Sequence, residues 1–173
     1  MGLSLRVVQA ANPVIPLQAA DPHAAIFAGR CYLYATEAGA TEPGFTVWSS
    51  PDLVTWTNHG MILKLGDLKW TPKVDKNAWA PAIIERGGRY FFYFSADSRI
   101  GVAVADSSIG PFQDPLGKPL LPYRDDLSTI DPMAFIDDDG QAYLYWDSGR
   151  GTQTRSLDAR HGPAVDARKE TKE

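Results

Sequence analysis

Three segments of the chain repeat one pattern, and this repeat restricts the possible folds more than any other feature. The first begins at Asp21 and reads DPHAAIFAGRCYLYAT, the second begins at Ala80 and reads APAIIERGGRYFFYFSA, and the third begins at Asp131 and reads DPMAFIDDDGQAYLYWDS. Each contains a proline, a short apolar strand, a glycine turn and an aromatic strand. Aromatic residues two positions apart lie on one face of a strand, so each repeat predicts a β-hairpin.

The spacing of the repeats predicts a β-propeller. Pro22, Pro81 and Pro132 recur at intervals of 59 and 51 residues, at the long end of the roughly 40 to 50 residues of a propeller blade. The first interval has room for two more strands, GFTVWSS and NHGMILKL, and the second for IGVAVADS and GKPLLPY. Four short strands describe one antiparallel blade. A β-sandwich also fits such strands, but the repeated aromatic strand favours the propeller.

The pattern changes after the third hairpin. Residues 150–173 read RGTQTRSLDARHGPAVDARKETKE, with no aromatic residue and only Leu157 and Val165 as large aliphatic residues. Such a segment buries too little apolar surface to offset the entropy lost on ordering. We therefore expect about two and a half blades over residues 1–149 and a polar tail over residues 150–173 that is frayed or partly helical.

Composition excludes several functional classes. The 173 residues carry a net charge of −4 without a basic stripe, so neither nucleic acid nor an anionic membrane is an expected partner. Cys31 is the only cysteine, which excludes an intrachain disulfide and a thiolate zinc cluster. No apolar run approaches the roughly 18 residues of a membrane span, and the N-terminal sequence lacks the pattern of a signal peptide. We expect a soluble, cytoplasmic protein.

The acidic run from Asp137 to Gly140 can be interpreted as a calcium loop or as a hairpin turn. An EF-hand loop would need an acid where Phe135 stands, so the hairpin turn is favoured. The three histidines also lack the spacing of metal ligands. We therefore predict no metal and no cofactor.

The residue before each repeat proline is the candidate functional position. It is Asp21 in the first repeat, Ala80 in the second and Asp131 in the third. The first strand of a propeller blade lines the central axis, so these positions should face a common funnel. A turn-capping aspartate explains one such residue, but a matched pair also suits glycoside hydrolysis, which uses two carboxyl groups. Trp79 beside them is either a sugar-stacking platform or part of the blade packing.

Five motifs in order resemble glycoside hydrolase family 43, in particular its β-xylosidase and α-L-arabinofuranosidase members. They are NPVIPLQAADP, VWSSPDLVTWTNHG, NAWAPAIIERGGRYFFYFSA, IGVAVADSSIGPFQDPLGKPLL and IDPMAFIDDDGQAYLYW, and they extend from about Asn12 to about Gly149. The resemblance implies a five-bladed propeller that hydrolyses xylose- and arabinose-containing polysaccharides with inversion. Residues 1–149 would then be a truncated catalytic domain.

The resemblance also implies residue roles. Asp21 matches the general base that deprotonates the attacking water, Asp131 matches the aspartate that orients and tunes the catalytic acid, and Trp79 matches a residue of the sugar pocket. The family's general acid is a glutamate in a later blade. The segment RHGPAV resembles the acid motif only faintly and in the wrong context, and His161 stands there in place of the glutamate. None of Glu37, Glu42 and Glu85 matches that acid.

Three functions follow from these expectations. The first is a glycosidase whose activity is impaired or depends on assembly, acting on pentose-containing oligosaccharides or aryl glycosides. The second is a catalytically inactive pentose-binding propeller fragment, and the third is a fragment with no function of its own. Because half a propeller exposes strand edges and a blade face, we also expect a homo-oligomer that covers these faces.

Overall fold

The protein is built from ten strands in three antiparallel sheets. The computed structural model describes residues 12–16, 18–37, 42–71, 78–123, 128–149 and 151–157. The first sheet has the order β1-β2-β3-β4, the second β5-β6-β7 and the third β8-β9-β10. The strands are β1 Ala19–Phe27, β2 Arg30–Glu37, β3 Gly44–Ser50, β4 Thr57–Lys64, β5 Ala78–Arg86, β6 Arg89–Ala96, β7 Arg99–Ala105, β8 Ile130–Ile136, β9 Ala142–Asp147 and β10 Thr152–Leu157.

The three predicted hairpins are confirmed as β1–β2, β5–β6 and β8–β9. Each turns at a glycine with positive φ, 75° at Gly29, 77° at Gly88 and 82° at Gly140. This left-handed conformation strains most residues with a side chain, so glycine is the natural residue for such a turn. The acidic run is the third of these turns, since the Gly140 N–H donates to the Asp137 carbonyl at 2.8 Å. The hairpin interpretation of this run is therefore confirmed.

The fourth strand predicted for the second sheet is wrong. In place of a strand in GKPLLPY, the segment after β7 makes two isolated bridges, Gln113 with Val104 and Leu121 with Ile100. Pro119 and Pro122 flank Leu121, and a proline has no N–H to donate to a ladder. Of the three sheets in the described residues, only the first has four strands.

The predicted loss of regular structure after Gly149 is also wrong for part of the tail. Residues Thr152–Leu157 form β10, which pairs with β9 along its whole length. An edge strand gains its ladder hydrogen bonds without needing two apolar faces, and Leu157 alone is buried against the third sheet. The remaining part of the predicted tail, including His161, lies outside the described residues.

Two apolar interfaces hold the sheets together. The first and second sheets enclose an aromatic cluster in which the Phe45 and Phe92 rings meet edge to face at 5.2 Å. The second and third sheets enclose a more aliphatic cluster that contains Val102 and Leu144. The first strands β1, β5 and β8 contact one another in that order. The sheets therefore succeed one another like blades, with their first strands side by side.

Candidate active site

The first strand of every sheet is interrupted by a bulge at the repeat proline. In β1 the register passes from Ala20 paired with Thr36 to His23 paired with Tyr34, so Asp21 and Pro22 face one residue of β2. The same two-against-one shift occurs in β5 between Trp79 and Ala82 and in β8 between Ile130 and Met133. A bulge bends its strand and changes the direction of a side chain. The three bulges therefore lie at equivalent places on adjacent strands.

The residue before the proline has a left-handed backbone in all three bulges. Its φ is 49° at Asp21, 42° at Ala80 and 55° at Asp131. A residue before proline normally prefers extended backbone, and a non-glycine residue in the left-handed region costs of order 1–3 kcal/mol. Since Ala80 shares this conformation without a carboxylate, the bulge belongs to the repeat itself. The other two bulges differ from it in carrying a carboxylate, at Asp21 and Asp131.

The two aspartates are close enough to interact electrostatically. Partial burial raises the pKa of the Asp131 carboxyl group, and the negative charges of Asp21 and then Asp147 raise it further. Both aspartates are largely exposed to solvent. The site is therefore an open, negatively charged surface formed by the bulges of the first and third sheets, with the uncharged bulge of the second sheet between their strands.

His23 joins the first bulge to the second sheet. It lies two residues after Asp21 and hydrogen-bonds to the backbone of Ile83 in β5, while burial lowers its pKa below the usual value. A neutral imidazole in this position connects β1 to β5 beside the site.

Comparison with known proteins identifies the family of this site. The family model of glycosyl hydrolases family 43 matches residues 10–162. A β-D-galactofuranosidase of Aspergillus niger is 36% identical over 156 residues, which cover 80% of this chain and 45% of that protein. The chain belongs to glycosyl hydrolase family 43.

Two further similar proteins support the assignment of this chain to family 43. The xylosidase/arabinosidase 43A of Humicola insolens is 37% identical over 148 residues, which cover 73% of this chain and 42% of that protein. An α-L-arabinofuranosidase structure from Clostridium thermocellum gives a TM-score of 0.72 at 34% identity and covers 84% of this chain and 53% of that one. The chain spans about half the length of these relatives. Its three sheets are part of the family's five-bladed propeller.

Trp79 lies at the second bulge of the family 43 site. It directly precedes Ala80 on β5, which packs between β1 and β8, and 37% of its surface is exposed. An indole ring at this place is available to a ligand near the two aspartates. The structure therefore places Trp79 on the strand between Asp21 and Asp131, with its role still a prediction.

Sequence reasoning missed two residues of this site. Ser95 is fully buried on β6, and its Oγ accepts a hydrogen bond from the Asp131 N–H at 2.9 Å. Asp147 ends β9, and its Oδ1 accepts the Gly149 N–H at 3.0 Å. Both stand seven residues after the turn glycine of their repeat. A polar residue at that fixed position of an aromatic strand was the signal that could have revealed them.

Two of the described glutamates, Glu42 and Glu85, have partners other than the aspartate pair. Glu42 forms an ion pair with Lys64, and Glu85 accepts the Gly88 N–H at its hairpin turn. The charges that act on Asp131 come from Asp21 and Asp147. Across the described ranges, no group of three His, Cys, Asp or Glu side chains could hold a metal ion. A membrane-spanning helix is also absent there.

Proposed function

We propose that this family 43 chain is a glycosidase that acts on xylosides or α-L-arabinofuranosides of plant hemicellulose. The observation that supports this proposal is the pair of aspartates, Asp21 and Asp131, at equivalent bulges and within electrostatic reach of each other. Relatives named as a xylosidase/arabinosidase and as an α-L-arabinofuranosidase support the choice of pentosides.

In the proposed mechanism the two aspartates have different roles. Asp21 accepts a proton from the water that attacks the anomeric carbon, and the sugar inverts its configuration. Asp131 orients and tunes the group that protonates the leaving oxygen. Its raised pKa follows from burial and from the neighbouring carboxylates, which disfavour a further negative charge. Trp79 stacks on the pentose ring through its exposed indole.

The substrates that the chain can cleave depend on whether a general acid is present to protonate the leaving group. In the described part of the chain, no glutamate is among the charges that act on Asp131. We therefore propose that hydrolysis by this chain is fastest when the leaving group departs without protonation. General acid catalysis contributes roughly 10² to 10⁴ in rate, so xylobiose should be cleaved more slowly than a nitrophenyl xyloside by about this factor.

Replacement of the base tests the proposed function. Asp21→Asn should lower kcat on nitrophenyl β-xyloside or α-L-arabinofuranoside by about 10² to 10⁴, because the amide cannot accept the proton. Asp138→Asn is the matched control, since Asp138 lies exposed in the third hairpin turn. Equal rates for wild type and Asp21→Asn would show that Asp21 is not the base.

The second candidate is a pentose-binding module without turnover. It is favoured because, among the described residues, no glutamate charge acts on Asp131. Two measurements separate the candidates: calorimetry for the binding of xylose and arabinose oligosaccharides, and a hydrolysis assay for the release of product from glycosides. A binding module should bind the oligosaccharides and release no product from any glycoside. Loss of binding in Trp79→Ala would then assign the contact to the exposed indole.

We also propose that two or more copies associate through their open faces. Met133, Phe135 and Tyr145 are exposed on the face of the third sheet that points away from the second. This face is the repeat equivalent of the face of the second sheet, with Phe91 and Tyr93, that packs on the third. A second copy that places its first sheet there, where Ile26 is 74% exposed, would continue the same sheet-on-sheet packing.

A further inference from the structure

The N–H of Asp131 is bonded outside its own sheet. The bulge in β8 removes Asp131 from the register with β9, which passes from Ile130 to Met133. The freed N–H donates to Ser95 Oγ at 2.9 Å. The backbone of one candidate catalytic residue is therefore tied to the neighbouring sheet.

Ser95 is well placed to hold this bulge. It lies in the middle strand of the second sheet, paired with Trp79 on one side and Ile100 on the other, and it is completely buried. A second tie lies next to it, because Thr129 donates to the Ser98 carbonyl through both its N–H and its hydroxyl. The start of β8 is thus fixed to the second sheet at two points.

The other repeats place a short polar residue at the same position. Counted seven residues from the turn glycine, these residues are Thr36, Ser95 and Asp147. Thr36 lies on the face of the first sheet that packs against the second, and its buried Oγ1 has no hydrogen-bond partner within the described residues. The next bulge after Thr36 is that of Ala80, which carries no carboxylate. Ser95 is therefore followed in the next sheet by a bulge with an aspartate, and Thr36 by a bulge with an alanine.

We propose that Ser95 is a positioning residue that holds the left-handed bulge of Asp131 and so directs the Asp131 carboxylate towards Asp21. The proposal rests on the proposed function only for its effect on catalysis. A strained backbone persists only where the surroundings fix it, and a partly buried N–H that loses its acceptor destabilises the conformation that holds it there. Removal of the Ser95 hydroxyl therefore favours relaxation of the bulge.

Ser95→Ala tests this role through the Asp131 backbone. The hydrogen-exchange protection of the Asp131 amide should fall by about tenfold, the equivalent of one lost hydrogen bond. As the carboxylate moves away from Asp21, its pKa should fall towards the ordinary value of an aspartate, measured by carboxyl ¹³C NMR titration. The charged groups that act on Asp131 are Asp21 on β1 and Asp147 on β9.

A kinetic measurement adds a second readout. If the chain hydrolyses nitrophenyl pentosides, Ser95→Ala should lower kcat by about ten- to a hundredfold with KM within about twofold, because misplaced reacting groups affect mainly the chemical step. Ser95→Thr should retain the kcat and the amide protection of the wild type, because threonine keeps a hydroxyl that can accept the Asp131 N–H.

Thr36→Ala is the matched control for these measurements. It removes a hydroxyl from the equivalent position, but the bulge that follows it is that of Ala80. The Asp131 amide and pKa should therefore stay as in the wild type. If Ser95→Ala does not fold, Ser95→Cys replaces it, because a thiol has a similar size and is a weak acceptor.

The outcomes separate this inference from the proposed function. A wild-type chain without any hydrolysis would refute the glycosidase, while amide exchange and titration would still decide the role of Ser95. Unchanged exchange and pKa at Asp131 in the folded Ser95 variant would overturn the inference. Equal changes in the Thr36 variant would overturn it as well, because they would indicate a general effect on folding.

Discussion

The second and third sheets are built from the same repeat but are covered differently. In β6 the six residues from Phe91 to Ala96 are all buried, because a sheet packs on each face. In β9 only the face towards the second sheet is closely packed, with Ala142 and Leu144 buried. Tyr145 on the other face is 37% exposed, whereas the repeat-equivalent Tyr93 is fully buried.

This difference shows that an aromatic strand in the repeat does not by itself predict that its side chains are buried. The aromatic residues are buried only where another sheet packs on their face. The repeat supplies apolar residues on both faces of each sheet, and a neighbouring sheet decides which of them leave water. The candidate site depends on covered faces, since Ser95 holds Asp131 from the side of the second sheet. The uncovered face of the third sheet is the surface that we propose for association.

Truncation of the two equivalent tyrosines should give the largest effect. Tyr93→Ala should lower the free energy of unfolding by about 3–5 kcal/mol, as is typical for loss of a large buried side chain. Tyr145→Ala should cost less than about 1 kcal/mol in a dilute sample, because its face is partly in water. Urea unfolding of both variants measures the difference. Equal losses would mean that the third sheet is covered in solution.

Self-association should respond to a charge on the open face. Phe135→Glu should convert the association expected for wild type at micromolar concentration to monomer, because a carboxylate placed in an apolar contact loses its hydration. Light scattering across a concentration series measures the mass. Ile109→Ser is the control, since Ile109 is similarly exposed outside the three sheets. A wild-type monomer would refute the association.

A carboxylate should lower stability at the bulge of the second sheet as it does at the bulge of the third. The folded pKa of Asp131 is raised, so the unfolded chain releases this proton first and stability is lost as pH rises through that window. Asp131→Asn should remove this pH-dependent loss of stability. It should raise the free energy of unfolding at pH 7 by less than about 1 kcal/mol, since the Asp131 carboxyl group is largely exposed. Ala80→Asp should lower stability there. Thermal unfolding of both variants and the wild type at pH 3.5 and pH 7 measures these differences. The stability gained by Asp131→Asn should vanish at pH 3.5, because the Asp131 carboxyl group of the wild type is then largely uncharged.

The smallest effect on stability is expected from replacement of His23, which lies at the interface between the first and second sheets. Burial lowers the folded pKa of His23, so the unfolded chain binds this proton first and stability is lost as pH falls below about 6.5. His23→Gln should reduce the drop in melting temperature between pH 7.5 and pH 5. An unaltered drop in the His23 variant would remove His23 as its cause.

Local sequence was sufficient to predict hairpins and candidate positions. The turn glycines, the alternating aromatic residues and the prolines are local signals, and the three hairpins and the acidic turn were found where they indicated. The strand Thr152–Leu157 was missed because an edge strand depends on the ladder offered by β9 rather than on its own apolar residues. The fourth strand of the second sheet was overpredicted because apolar content outweighed Pro119 and Pro122.

The sequence by itself determined the repeat, the all-β fold and the two aspartates before a proline, because these follow from residue type and spacing. Only the tertiary structure decided the left-handed bulges, the proximity of Asp21 and Asp131, and the hydrogen bond from Asp131 to Ser95. Each of these joins residues from different sheets or needs a backbone that a residue before proline does not prefer alone. The packing of one sheet on the next supplies the energy that holds them in place.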